Sequence, residues 1–239
     1  ISPYESVRGL GAIGRGNGDE HVQAPTNWKP PIRISTRCGV DKCGIPDPSV
    51  VETLNRRRWS YAQEVETGMV GAEAVVAESL ESCHDVVSRS PRRGSGWLVK
   101  GDLGASGRQQ RRIGDAAAAE GFAEWVAGCL DRDGLVVIEP YLDSVWECGL
   151  QYELLEDGGV RFCGATELLT TESGSYLGTR FGEAVAQRLE PDREELLEGL
   201  EPVVDCAASA GYFGPLGIDA MYFRRATGEE SWRPLQEVN

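Results

Sequence analysis

The chain has 239 residues, 41% hydrophobic and 26% charged, so it can bury a sizeable core. Its formal net charge of −14 argues against a nucleic-acid partner, because a surface this acidic repels a phosphate backbone. Basic residues gather only locally, at 56–58, 92–93 and 108–112, where a small anion is the suitable partner.

No apolar run is long enough to cross a membrane and no signal peptide is visible, which points to the cytoplasm. Ile1 in place of a starting Met reads as the beginning of a fragment. The seven cysteines are odd in number and irregularly spaced, as expected of reduced thiols rather than a disulfide framework.

In chain order, residues 1–48 are rich in Gly, Pro, Asn and Asp and read as loops, or as the remnant of a preceding domain. Ser49 and Glu52 form a capping-box pattern that opens a helix to about Thr67, with Gly68 at its end. A short strand within 72–79 leads into a helix near Leu80, and 96–100 is the next strand. Residues 115–130 read as a helix, with Phe122, Trp125 and Leu130 at helical spacing. The run 134–142 is a buried strand stopped by Pro140. Two strands around Glu156–Gly159 form a hairpin, and 170–183 reads as a polar, glycine-rich loop. Asp192 and Glu195 make a second capping box, opening a helix that ends near Gly211. Two final strands, 217–224 and 231–239, close the chain. Mixed elements with antiparallel hairpins indicate an α+β, or mixed α/β, class.

Two stretches carry chemistry. In the last hairpin, a turn centred on Gly228 makes residues whose numbers sum to twice 228 face each other, so Asp219 faces Glu237. Partners across an antiparallel pair share a sheet face, and Asn239, two residues on, joins them. Directly opposed like charges cost stability unless a hard cation sits between them. Taken alone, the hairpin fits a solvated acidic face better, and Pro234 warns of a bulge. The second stretch, 97–112, ends a strand in Lys100 and continues into a glycine-rich segment. It matches neither the Walker pattern, nor the protein-kinase order, nor the dinucleotide fingerprint. A lysine beside free backbone N–H groups suits phosphate oxygens; a solvated surface loop is the plainer reading.

Over roughly residues 50–239, the order of these features resembles the ATP-grasp superfamily. The resemblance rests on VKGDLGASGR at 99–108, VVIEPYL at 136–142 followed by Trp146-Glu147, GIDAMYF at 217–223 and QEVN at 236–239. It implies two α+β subdomains with the nucleotide between them. The chain then divides into an N-terminal segment, 1–48; a small subdomain, 49–138; and a large subdomain, 139–239, truncated at its C-terminus.

Residue by residue, the resemblance implies that Lys100 binds phosphate beside a flexible loop of Gly104, Ala105, Ser106, Gly107 and Arg108. Glu139, Pro140, Tyr141 and Leu142 lie at adenine, with Glu147 at ribose. LNRRRWSY at 54–61 is similar to a segment carrying a second phosphate contact, assigned to Arg57 with Arg56 close behind. Asp219, Glu237 and Asn239 hold two Mg²⁺, with Mn²⁺ also admissible. The family often has an arginine just before the metal aspartate, but Gly217 stands there, so Arg180 (or else Arg224) takes its role at the acylphosphate. Trp146 either flanks adenine or packs in the core.

The implied activity is a cytoplasmic, Mg-ATP-dependent ligase joining a small carboxylate to an amine, or a thiol, through an acylphosphate. A catalytically idle nucleotide-binding module is the alternative, and a structural domain that binds nothing is the third reading. The substrates and the oligomeric state are not written in the sequence.

Overall fold

The computed structural model describes residues 45–69, 74–91, 95–104, 109–113, 121–171, 176–225 and 227–239. By its contacts the chain divides into residues 1–43 and residues 44–239, and every described residue lies in the second unit. The expectations for 1–44, for Ala105–Arg108 and for the first part of the 115–130 helix fall outside the described residues.

Two antiparallel sheets organise this unit. The first has four strands in the order β1 (Val75–Ala77), β4 (Val136–Pro140), β2 (Trp97–Gly101), β3 (Gln110–Ile113). Helices α3 (Leu80–Val87) and α4 (Phe122–Asp133) cover one of its faces. Trp97, Val99, Val136 and Ile138 point into that core, and alternation turns Leu98, Lys100 and Glu139 to the opposite face.

The second sheet has five strands: β7 (Tyr176–Arg180), β6 (Val160–Thr170), β5 (Asp143–Leu154), β8 (Gly214–Arg224) and β9 (Glu230–Val238). Helices α5 (Glu183–Leu189) and α6 (Arg193–Ser209) pack on one face, over Cys148, Leu150, Leu216, Ile218 and Ala220. Glu147, Gly149, Gln151, Gly217 and Asp219 alternate to the other face.

The α+β class is as read from the sequence, but the local reasons differ at several points. The expected helix from Ser49 to Thr67 is two helices, α1 (Pro48–Leu54) and α2 (Arg57–Thr67). Asp47, not Ser49, is the N-cap: its carboxylate accepts from the Ser49 amide at 2.8 Å, and Pro48 suits the first turn. Glu52 pairs with Arg56 instead of closing a capping box. The break follows because Arg56 is extended (φ −81°, ψ 131°) and the Arg57 amide donates to the Asp102 carbonyl at 2.9 Å. Leu54 of α1 packs in the core of the five-stranded sheet.

Part of the expected polar loop at 170–183 is the edge strand β7, and α5 follows it at once. Asp192 does stand at the N-cap of α6, but its side chain makes no capping bond. Among the described residues no helix is long and apolar enough to cross a membrane.

Candidate functional site

The sheet faces turned away from α3, α4, α5 and α6 border a cavity of about 1520 Å³. Of the residues proposed from the sequence, Arg57, Lys100, Glu139, Pro140, Tyr141, Leu142, Glu147, Asp219, Glu237 and Asn239 all line it. Three strands of the first sheet deliver a row across one face: Arg112 lies beside Leu98, and Leu98 beside Glu139.

Lys100 and Glu139 are both almost fully buried, and Lys100 Nζ lies 2.6 Å from Glu139 Oε1. Arg233 of β9 reaches the other oxygen, Oε2, at 2.9 Å and grips the buried Glu64 of α2 with two further bonds at 2.9 and 3.0 Å. Burial opposes charge on Glu139, but Arg233 and Lys100 outweigh it and hold the carboxyl well below the usual range. This four-membered chain ties the strand lysine to the second sheet. Arg233 and Glu64 carry no signal in the sequence: Glu64 looks like any helix glutamate, and Arg233 like a strand arginine beside a proline.

At the hinge, the Tyr141 amide donates to Gly96 O and its carbonyl accepts from Ser95 N, at 2.8 and 3.0 Å. The Arg112 guanidinium lies 3.7 Å from the Tyr141 ring centroid, a cation–π contact that stiffens this end of the cavity. Trp146 is buried, edge-on to Trp232 and covered by Arg188, and it also borders the cavity. Burial raises the pKa of Glu147.

Asp219 faces Glu237 directly, and Asn239 exchanges both backbone hydrogen bonds with Gly217. The triad therefore lies on one face. Burial first, and the neighbouring Glu237 carboxylate next, push Asp219 up to about 7, against a hydrogen bond from the Asn239 side chain. Arg57, 4% exposed, lies 3.2 Å from Glu237. Among the described residues no group of three or more His, Cys, Asp or Glu is arranged for a metal. Two carboxylates and an amide oxygen suit a hard cation that keeps water and phosphate as its other ligands.

Next to the triad, on the same face, stands Gly149, opposite Asp219. A Cβ on Gly149 would meet Thr166 Oγ1 at 2.9 Å and Gln151 Nε2 at 3.0 Å, so glycine leaves room for both side chains. Gln151 and Thr166 border the cavity as well and were not singled out from the sequence.

Arg180 is not brought to the others. Strand register sets it beside Glu167 and Cys148, on the helix side of the sheet, where it pairs with Glu167 at 2.6 Å. Arg224 is likewise engaged elsewhere, with Glu230 at 3.0 Å. A Cβ on Gly104 would collide with the Arg57 guanidinium; Ala105, Ser106, Gly107 and Arg108 lie outside the described residues.

Two antiparallel sheets, each backed by helices and joined across a cleft, define the class of fold: it is the ATP-grasp fold. The biotin carboxylase of Campylobacter jejuni, solved as a β-γ-ATP complex, is similar with TM-score 0.59 and 13% identity, over 81% of this chain and 42% of that one. The biotin carboxylase domain of Hydrogenobacter thermophilus 2-oxoglutarate carboxylase, solved with MgADP, ADP and bicarbonate, has TM-score 0.59 and 17% identity, over 81% and 41%. N5-carboxyaminoimidazole synthetase from Staphylococcus aureus, complexed with ADP, has TM-score 0.54 and 13% identity, over 79% and 45%. The chain thus spans less than half the length of each. No protein-family model and no curated protein sequence matches it.

Proposed function

We propose that this chain binds Mg-ATP in the cleft and forms the nucleotide-binding part of a ligase that joins a carboxylate to an amine, or a thiol, through an acylphosphate. The observation that carries the reading is the cavity itself: buried Lys100, opposed Asp219 and Glu237, and Asn239 all border one space. The nucleotide complexes of structures with the same fold add support.

Lys100, oriented by Glu139, neutralises phosphate oxygens. Arg57 shares that charge from the opposite side, while Pro140–Leu142 and Glu147 receive adenine and ribose. Asp219, Glu237 and Asn239 would hold Mg²⁺, which when bound spreads the charge of the transferring phosphoryl group. No covalent nucleophile is required; positioning and charge neutralisation do the catalysis. For Arg180 to stabilise the acylphosphate it must leave Glu167 and cross to the cavity face.

One observation favours the idle-module alternative: Gly217 stands where the family often has an arginine, and Arg180 is engaged with Glu167. Hydroxylamine trapping with ATP across a panel of carboxylic acids separates the two. The ligase reading expects a hydroxamate with at least one acid, in ATP-dependent amounts. ATP binding with no hydroxamate across the panel favours the module, and Arg180→Ala with unchanged turnover removes that residue from the mechanism.

A further inference from the structure

Three arginines follow one another at 56–58, and each is held differently. Arg57 turns toward the cavity, and Arg56 and Arg58 turn to a single carboxylate, Asp102, which is 0% exposed. Arg56 donates to Asp102 Oδ2 at 2.8 Å, Arg58 Nε to the same oxygen at 2.7 Å, and the Arg58 amide to Oδ1 at 2.9 Å. The Asp102 carbonyl accepts from the Arg57 amide at 2.9 Å. A residue in the stem of the glycine-rich segment thus fixes both neighbours of Arg57 and its backbone.

The stem is in turn fitted to Arg57. Its guanidinium donates to Gly101 O at 2.5 Å, and a Cβ on Gly104 would stand only 2.6 Å from it. On the other side, a Cβ on Gly101 would meet Arg132 at 2.9 Å and Asp133 at 3.3 Å, at the end of α4. The Arg57 Nε is buried with no hydrogen-bond partner, so the group is oriented without being saturated.

We infer that Asp102 is the positioning residue of the phosphate side of the cleft: by gripping Arg56 and Arg58 it aims Arg57 between Gly101 and Glu237. The inference rests on the nucleotide reading above, and Asp102 itself need touch no ligand. It has an unusual sign. Through-space electrostatics makes Asp102 a hindrance to a triphosphate, so removing its charge should tighten binding. Positioning makes it an aid, so the same change should weaken binding.

The test is calorimetry of ATP and adenosine on the unsubstituted chain and on the isosteric Asp102→Asn. Expected is a loss of about tenfold or more in ATP affinity with adenosine affinity unchanged, because adenosine never reaches Arg57. ATP affinity unchanged or higher, with adenosine unchanged, overturns the inference while leaving the nucleotide reading intact. If the unsubstituted chain binds neither ligand, both fall.

Should Asp102→Asn not fold, Arg58→Lys serves, since it keeps the charge but loses the planar guanidinium, that side chain is 42% exposed and Arg56 keeps its bond to Asp102. The same ATP-selective loss, smaller in size, is expected, and equal ATP affinity overturns the inference. In the ligand-free protein, amide exchange at Arg57 and Arg58 should quicken in Asp102→Asn; unchanged protection contradicts the latch directly.

Discussion

Asp219→Asn should stabilise the ligand-free protein by about 2 kcal/mol at pH near 8 and leave it almost unchanged near pH 4. The sign follows from the raised pKa. Asp219 titrates ordinarily at 3.8 and in the folded chain at about 7, so the native state holds its proton more tightly than the unfolded state. Stability is therefore lost as pH rises from about 4 to about 7 and is level above that. A shift of this size corresponds to roughly 4 kcal/mol in full, and partial solvent contact of the side chain halves the expectation. Asparagine has no charge to bury and escapes the loss. Millimolar Mg²⁺ should stabilise the unsubstituted chain at pH 8 and not the variant. Thermal melts across pH, with and without Mg²⁺, check both. Parallel curves insensitive to the cation would mean a merely solvated acidic face. A substitution that stabilises the fold while removing cation binding is the mark of residues kept for function.

Arg233→Met should cost about 3–5 kcal/mol, because it strands Glu64 in the interior and halves the support of Glu139. For a chain of this size that lowers Tm by roughly 10 °C. Adding Glu64→Met to Arg233→Met should recover much of the loss, since two apolar groups replace a broken pair. A double-mutant cycle should give a coupling above about 1 kcal/mol. Additive effects, each below about 1 kcal/mol, would mean that the network is loosely held. Lys100→Met should be the milder change, because Glu139 keeps Arg233.

The face shared by Asp219, Glu237 and Asn239 was legible in the sequence for a partly fortuitous reason. Near the turn Met221 faces Arg233 and Arg224 faces Glu230, which centres the hairpin on residue 227 rather than Gly228. The register then shifts between Met221 and Asp219, opposite Pro234–Gln236, and that irregularity restores the pair expected from a centre at 228. Pro234 cannot donate to the ladder, so the bulge sits where the sequence warned of it. Leu235 and Val238, three residues apart and both buried, record the change of phase.

Other parts were hidden because tertiary contacts made the decision. Nothing local at Asn55–Arg56 ends a helix; the Asp102 carbonyl does, by taking the Arg57 amide, while the Asp102 carboxylate holds Arg56 from 46 residues away in sequence. The segment Tyr176–Arg180 is an edge strand with one neighbour, so its residues need not alternate cleanly in polarity. Buried pairs such as Arg233 with Glu64, 169 residues apart, leave no periodic trace at all.

The most direct test of the nucleotide reading is calorimetry of ATP binding to this chain, with and without Mg²⁺, repeated on Lys100→Ala and Glu237→Gln. ATP is expected to bind, Lys100→Ala to weaken binding in either buffer, and Glu237→Gln to weaken it only when Mg²⁺ is present. A folded chain that binds no ATP, or one whose affinity is indifferent to both substitutions, would contradict that reading.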